Sequence, residues 1–137
     1  MIRPKVLLAA DTVIRDAATN SVSAIHVFEQ FAPPGYPLLV PRLTVFAMLE
    51  REHGDAAAVV ARLQIRLDGT NIFERDTDVN FGESLINRIV LQFQGFVLPA
   101  AGTVRMVLAV GDQQVESYGI QAIAPPAPPP PEPEVLG

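Results

Sequence analysis

Apolar and polar residues alternate with a period of two along three long segments, and this alternation restricts the fold more than any other feature. The odd positions from 59 to 67 are Val, Ala, Leu, Ile and Leu, while Arg62, Gln64 and Arg66 fall between them. The same pattern runs through 86–98 and through 39–50, where both sets of positions are apolar. Because successive side chains of a strand point to opposite faces, these segments predict half-buried β-strands, with 39–50 at the centre of a sheet.

Turn residues separate the alternating segments at short intervals. Asp68-Gly69 predicts a two-residue hairpin of type I′, which needs positive φ at both central positions. Gly111-Asp112 divides 103–110 from 114–122 and predicts a closing hairpin of type I′ or II′. A phosphate-binding glycine loop would lead into a helix, and no helical pattern follows here. Leu108 is expected to face the core in the strand before this turn.

The alternation and the turns together predict an all-β chain. Short strands at this spacing, with no long helical period, are typical of a sandwich or a barrel. We predict an antiparallel β-sandwich of about seven to eight strands, and the least regular part is 76–87. The predicted strands are 4–14, 21–31, 39–50, 58–67, 70–75, 86–98, 103–110 and 114–122.

A change of composition near Ala124 predicts the end of the folded domain. The next 13 residues contain seven prolines, which can neither extend a helix nor pair inside a sheet. We therefore predict one β-sandwich domain at 1–124 and a disordered, proline-rich tail of polyproline II character at 125–137. A length of 137 residues suits one domain.

Composition excludes several classes of function. The chain has no cysteine, which excludes disulfides and thiolate zinc sites. Its net charge is −5 and its ten basic residues are scattered, so neither a nucleic-acid footprint nor a membrane-surface patch is expected. The apolar run at 6–10 is shorter than the roughly 7–15 residues of a secretory signal, and no run approaches a membrane span. A cytoplasmic protein is expected.

Residues that could carry chemistry are few, and the sequence does not bring them together. His26 and His53 lie in separate segments, and no serine stands in a Gly-x-Ser-x-Gly elbow. Asp76 and Asp78 alternate around Thr77 and could ligate a hard cation, or could line the solvent side of a strand. We assign no catalytic, cofactor-binding or metal-ligating residue, and we expect no cofactor and no enzymatic activity.

Two acidic residues flank the first predicted turn. Asp11 lies near the end of the first predicted strand, and Asp16 lies where the turn begins. Short acidic side chains at such positions accept hydrogen bonds from nearby backbone amides. We expect both carboxylates to bond loop amides.

Four stretches resemble a known family. They are VLLAADTVIRD, SVSAIHVFEQF, PRLTVFAMLE and LPAAGTVRMVLAVGDQQVESYGIQA, and together they span most of 5–123. In these stretches the chain is similar to a bacterial group of small immunoglobulin-like β-sandwich proteins of unknown function. The resemblance implies an immunoglobulin-like fold and carries no activity, cofactor or site residue. His26 stands where the family pattern more often has a small residue.

Three hypotheses for function follow, and a non-enzymatic binding or accessory module that acts through protein–protein contacts is the first. The second is a structural subunit of a larger assembly, in which edge strands pair between copies. The third is a hydrolase that uses Asp76, Asp78 or Asp11. The partner is therefore expected to be a protein or a second copy. Because proline is tolerated at the start of an edge strand, Pro4 makes residues 5–14 a candidate docking edge.

Overall fold

Strands make up most of the part of the chain that the structure describes. The computed structural model describes residues 1–126, which contain nine strands and no helix, hence none long and apolar enough to cross a membrane. In chain order the strands are β1 (Arg3–Arg15), β2 (Val22–Val27), β3 (Gln30–Phe31), β4 (Leu38–Glu50), β5 (Ala58–Leu67), β6 (Thr70–Asn80), β7 (Ile86–Leu98), β8 (Gly102–Val110) and β9 (Gln113–Ala122).

The strands form two sheets that enclose one hydrophobic core. Within residues 1–126, the first sheet has the order β2-β1-β4-β7, and the second has the order β3-β9-β8-β5-β6. Leu43 and Leu49 from the first sheet share the core with Ile65, Met106 and Ile120 from the second, and none of the five is more than 1% exposed. The all-β class is thus confirmed, and β4 is central in its sheet, between β1 and β7.

The local patterns agree with the predicted strands and turns. On β5, Ala61, Leu63 and Ile65 are buried, whereas Arg62 on the opposite face is exposed. Leu108 on β8 is only 2% exposed, as expected for a core position. Asp68 and Gly69 have φ of 48° and 84°, which suits the predicted type I′ turn. Of the pair Gly111-Asp112, only Gly111 has positive φ (61°), which favours type II′.

The predicted strand at 21–31 is wrong as a single strand, because His26 breaks it. His26 has φ of 55°, a left-handed conformation that disturbs the pairing with β1, and β2 ends one residue later at Val27, opposite Ala10. The chain then crosses to the second sheet, where β3 runs parallel to β9 and buries Phe31. The fold is therefore not wholly antiparallel, and the described residues hold nine strands instead of seven to eight.

The predicted strand at 70–75 is too short. β6 pairs with β5 as far as Asn80 opposite Ala58. The alternation continues through this part, since Thr77 and Val79 are half-buried and buried while Asp76 and Asp78 are exposed. The predicted strand ended too early because the acidic side chains on the solvent face of 76–80 give this part a composition typical of loops.

The domain boundary predicted at Ala124 falls near the end of the described residues. The last strand ends at Ala122, and Tyr36 donates a hydrogen bond from its hydroxyl to the Ile123 carbonyl at 2.8 Å. Residues 125 and 126 are described and exposed. The predicted tail from residue 127 onward lies outside the described residues, so the division into a domain and a tail stays a prediction.

Candidate protein-contact surface

The first strand changes partner at Ala10. β1 pairs with β4 from Arg3 to Ala10 and with β2 from Ala10 to Arg15. At the change, the Thr44 hydroxyl donates to the Asp11 carbonyl at 3.1 Å, and Arg42 forms an ion pair with the Asp11 carboxylate at 3.0 Å. Asp11 therefore ties the departing strand to side chains of β4, whereas we had expected its carboxylate to bond loop amides.

The hairpin formed by residues 11–27, which we call the arm, folds back across the outer surface of the first sheet. Arg88 on β7 donates to the Asn20 carbonyl at 2.9 Å and to Asn20 Oδ1 at 3.3 Å. If β1 continued in the plane of the sheet, Arg15 would lie level with Val97, about 30 Å from Arg88 at 3.3 Å per residue. An arginine side chain cannot span that distance, so the arm must cross the face of the sheet.

The turn of the arm is built from local side-chain bonds. Asp16 Oδ1 accepts the amides of Ala18 at 2.8 Å and Thr19 at 3.2 Å, which confirms the backbone-bonding role predicted for Asp16. Asn20 has φ of 59°, a conformation that asparagine tolerates better than most residues. These bonds place the Asn20 carbonyl where Arg88 reaches it.

Apolar side chains lie on the outer surface of the first sheet and on the arm. Phe46 projects from β4 away from the core, yet it is only 4% exposed. Seven apolar residues of the arm, β4 and β7 are open to solvent: Ile14 (51%), Ile25 (41%), Val27 (42%), Leu39 (58%), Ile86 (41%), Val90 (45%) and Val97 (55%). Open apolar residues on one face of a domain are typical of a contact surface.

The outer surface of the second sheet carries charged pairs between β5 and β6, although Val60 on β5 is also open to solvent (49%). On it, Arg62 bonds Asp76 at 2.8 Å and Glu74 at 3.1 Å, and Gln64 also bonds Glu74. Charged and amide side chains of this kind are well solvated. The two outer surfaces therefore differ in character, and the first sheet carries the candidate contact surface.

β7 is an edge strand with little protection against pairing. It has 13 residues, INRIVLQFQGFVL, and contains no proline, lysine or carboxylate. Gly95 has φ of 85°, so the regular part of this edge is 86–94. Arg88 is its one charged residue, and its guanidinium is engaged by Asn20. Natural edge strands are commonly blocked by lysine, proline, bulges or short length, because an open edge accepts a further strand.

The other edges of the described sheets are blocked or short. β6 carries four charged residues, Glu74, Arg75, Asp76 and Asp78. The part of β1 that pairs only with β4 contains Pro4, Lys5 and a register shift between Pro4 and Val6. β2 is interrupted by the positive φ of His26, and β3 has two residues. β3 covers β9 only at Gln121 and Ala122, and the part of β9 that it leaves open carries Glu116 beside a register shift with β8. The docking edge predicted at 5–14 is therefore not an open one. Along 5–9 it is protected by Pro4, Lys5 and the register shift, and from residue 12 onward it pairs with β2.

The backbone of β7 presents donors on the open side. The Arg88 amide donates to Asn87 Oδ1 at 2.8 Å, so it points away from the ladder with β4. Because alternate residues of an antiparallel edge strand direct their amides outward, Val90, Gln92 and Gln94 present amides on the same side. Exposed Val97 (55%) and its pair partner Leu39 (58%) extend the apolar character to the far end of the strand.

The residues considered for catalysis or metal binding do not converge. His26 and His53 are exposed on β2 and on the loop after β4. Among residues 1–126, no three His, Cys, Asp or Glu side chains are grouped to hold a metal ion. The hydrogen bond from Arg62 lowers the pKa of Asp76 below its usual value, which is opposite to the shift that a general acid needs. Asp78 lies exposed on the same face of β6.

The signal for the β7 edge was present in the sequence but was not used. Val90 and Val97 stand at positions of 86–98 where a solvent-facing strand would have polar residues. The segment also lacks the charges that usually mark an edge. The arm had no such signal, since its course depends on contacts between residues far apart in the chain.

Comparison with known proteins gives one family. No curated protein matches the chain. Residues 5–123 match a family of unknown function (DUF6941). This match covers β1 through β9 nearly completely, and the chain therefore belongs to the DUF6941 family of unknown function.

Proposed function

We propose that the protein is a non-enzymatic binding module that acts through protein–protein contacts, with β7 as its docking strand. The observation that carries the proposal is the open edge of β7, which is regular along 86–94 and free of proline, lysine and carboxylate over its whole length. Every other sheet edge within residues 1–126 is short, charged or irregular. The protein partner contributes an extended segment that adds to the first sheet.

Strand addition explains the distribution of exposed groups around β7. Backbone hydrogen bonds of the added strand supply affinity, and pockets for alternate side chains supply specificity. Side chains of the added strand that point to the outer surface meet Ile86 and Val90, which are 41% and 45% exposed. The added strand thus covers apolar area that the isolated chain leaves in water.

We also propose that the fold is immunoglobulin-like. The order β9-β8-β5-β6 in the second sheet corresponds to the G-F-C-C′ order of variable-type immunoglobulin sheets, and β1-β4-β7 corresponds to A-B-E. The arm and the parallel pairing of β3 with β9 are additions to this scheme. The bacterial origin implied by the resemblance and the cytoplasmic location stay predictions.

A charge placed on β7 tests the proposal. Val90→Lys puts an ammonium group on the open edge, as lysine does on naturally protected edge strands. This variant should abolish capture of the partner from a lysate of the source organism. Val60→Lys is the matched control, because Val60 is exposed to 49% against 45% for Val90 but lies on β5, an interior strand. Circular dichroism checks that both variants fold.

The outcomes are distinct. Capture by the wild type and by Val60→Lys, with loss in Val90→Lys, supports docking on β7. Equal capture by all three proteins would place the partner elsewhere and refute β7 as the docking strand.

The same edge favours a second candidate, a structural subunit in which β7 pairs with β7 of another copy. Light scattering after size-exclusion chromatography separates the two proposals. A dimer that becomes a monomer in Val90→Lys, with Val60→Lys still dimeric, favours the structural subunit. A monomeric wild type favours the binding module.

A further inference from the structure

The two sheets meet along one open side of the sandwich, where β6 lies against β7. Phe73 on β6 and Phe93 on β7 pack edge to face there, with ring centroids 4.7 Å apart. Both rings are only half-buried. We call this place, formed by Phe73, Arg75 and Phe93, the seam. A strand added to β7 has its outward side chains on the outer surface of the first sheet, and its inward side chains point to the seam.

Arg75 leaves β6 on the side that faces the seam. It pairs with Leu63 on β5, and Phe73 pairs with Ile65. Directly opposite residues of an antiparallel pair lie on the same face of the sheet. Leu63 and Ile65 are core residues, 3% and 0% exposed, so Arg75 starts from the core-facing side of β6. Because β6 is an edge strand, the long side chain still reaches solvent.

The described part of the chain supplies no acid to Arg75. No ion pair joins Arg75 to a carboxylate within residues 1–126. The neighbouring acids Glu74 and Asp76 leave the opposite face of β6, where both pair with Arg62. β7, on the other side of the seam, contains no carboxylate. Among the described residues, the seam therefore holds one uncompensated positive charge beside two aromatic rings.

A strand added to β7 removes water from this charge. Its inward side chains come to lie over the edge of β6, where the guanidinium of Arg75 is exposed. A charge that is covered without an acceptor costs free energy, because its hydration is lost and nothing replaces it. A carboxylate replaces the lost water with two oxygens in the geometry that a guanidinium prefers. The seam therefore favours an added strand with an inward-pointing acid.

An inward-pointing charge also has a second role, because it protects an edge strand from pairing. β6 already carries Glu74, Asp76 and Asp78 on its other face for that purpose. A purely protective charge has no preference among ligands of β7, whereas a charge in a docking seam prefers an acidic ligand. The two roles can therefore be separated by experiment.

On the premise that the partner docks on β7, we propose that its docking segment carries an acid that pairs with Arg75 and, two residues away, an apolar side chain that packs on Phe73 and Phe93. The spacing of two follows from the pleat, which directs alternate side chains to one face. The residues between them are apolar, since they meet Ile86 and Val90 on the outer surface. β7 of a second copy contains no carboxylate, so this chemistry favours a different protein over pairing between two β7 strands.

The order of the acid and the apolar residue reports the direction of the added strand. Asn87 Nδ2 donates to the Asn80 carbonyl at 2.8 Å, and Phe93 contacts Phe73, so β6 and β7 run in opposite directions. Arg75 is therefore level with the part of β7 that precedes Phe93. A strand antiparallel to β7 has the apolar residue first and the acid two residues later. A parallel strand has the reverse order.

Binding of synthetic peptides to the full chain tests the proposal. The probes are two fluorescein-labelled heptapeptides, Thr-Val-Phe-Val-Glu-Val-Thr and the same residues in reverse order, together with versions of each that carry Gln or Lys instead of Glu. Fluorescence anisotropy measures the dissociation constants. For the better-bound order, the Glu peptide should bind about threefold more tightly than the Gln peptide, as expected for an accessible ion pair. It should bind about tenfold more tightly than the Lys peptide, which places two like charges together.

Variants of Arg75 assign the preference to the seam. Arg75→Gln should bind the Glu and Gln peptides equally, and Arg75→Glu should prefer the Lys peptide, because only the pair of charges is changed in this cycle. Arg105→Gln is the matched control. It removes the same charge from β8, an interior strand, and should keep the threefold preference for Glu.

The outcomes separate this inference from docking on β7. Equal binding of the Glu and Gln peptides by the wild type, an unchanged preference in Arg75→Gln, or no binding of any peptide would overturn the proposal. Val90→Lys should weaken the binding of all the peptides, since it blocks the edge itself. Weakening by Val90→Lys together with an unchanged preference in Arg75→Gln would refute only the role of Arg75. Wild-type binding of every peptide by Val90→Lys would refute docking on β7 as well.

Discussion

Arg88 on β7 holds Asn20, a residue 68 positions earlier in the chain, by two hydrogen bonds of 2.9 and 3.3 Å. The bonds join the turn of the arm to the edge strand across the outer surface of the first sheet. At the other end of the arm, Arg42 and Thr44 hold Asp11. Side chains of β7 thus hold the turn of the arm, and side chains of β4 hold its base. These bonds are separate from the backbone pairing of the strands.

Removal of the Arg88 side chain should loosen the arm without unfolding the sheets. In Arg88→Ala we expect amide exchange at 12–15 and 22–25 to become about three- to tenfold faster, since exposed hydrogen bonds contribute about 0.5–1.5 kcal/mol in net terms. Hydrogen exchange followed by mass spectrometry measures this difference. Exchange in β5 and β8 should stay unchanged.

The matched control for the arm is Arg75→Ala, which removes an exposed arginine from β6. It should leave exchange in the arm at the wild-type rate. A uniform increase over the whole of residues 1–126 in Arg88→Ala would instead show that Arg88 stabilises the global fold.

The alternation of residues predicted most strands because it is local. The pleat alone decides which face a residue joins, so Leu63, Ile65 and Leu108 could be assigned to the core from their spacing. The apolar residues on both faces of β4 also indicated its central position correctly. Phe46 projects away from the core and is nevertheless only 4% exposed, which no pattern within 39–50 reveals.

The missed features depend on contacts between distant segments or on unusual backbone conformations. The left-handed φ of His26 was indicated only by the small residue that the family pattern more often has at this position, and a histidine between Ile25 and Val27 does not by itself mark the end of a strand. The course of the arm rests on pairs such as Arg88 with Asn20 and Arg42 with Asp11. The place of Arg75 in the seam depends on the register of β5 and β6 and on the contact of β6 with β7, which spacing along one strand cannot supply.

The first residue of β8 must be glycine because of both its backbone conformation and its neighbour. Gly102 has φ of 148°, and a Cβ built there would lie 2.8 Å from Cγ of Asp68, closer than side chains allow. The Asp68 carboxylate is fixed in place because its Oδ1 accepts the Thr103 amide at 2.9 Å. Gly102→Ala should therefore destabilise the chain by about 1–3 kcal/mol from its backbone conformation, with the collision in addition.

A second substitution separates the two causes. Asp68→Gly removes the carboxylate and suits the positive φ of 48° at that position, while it loses the hydrogen bond to Thr103. In urea unfolding, the double variant should lose less stability than the sum of the single variants, because the collision is counted only in Gly102→Ala. Additive losses would mean that the collision with Asp68 contributes nothing.

The hydroxyl of Tyr118 links β9 to the connection between β2 and β3 by donating to the Phe28 carbonyl at 2.5 Å. Burial raises the pKa of Tyr118 above its usual value near 10, and the charge of Glu29 raises it further. A group with a raised folded-state pKa stabilises the fold fully below its unfolded pKa and loses this contribution as pH rises through the folded value. The loss therefore begins above about pH 10.

Tyr118→Phe should cost about 1 kcal/mol near pH 7, through the lost hydrogen bond, and should escape the alkaline loss. The thermal midpoints of the wild type and the variant, measured from pH 7 to pH 11, should converge above pH 10. Tyr36→Phe removes the chain's other tyrosine hydroxyl and should keep the wild-type fall, because Tyr118 is still present. Parallel curves for the wild type and Tyr118→Phe across the whole range would show that ionisation of Tyr118 is not coupled to folding.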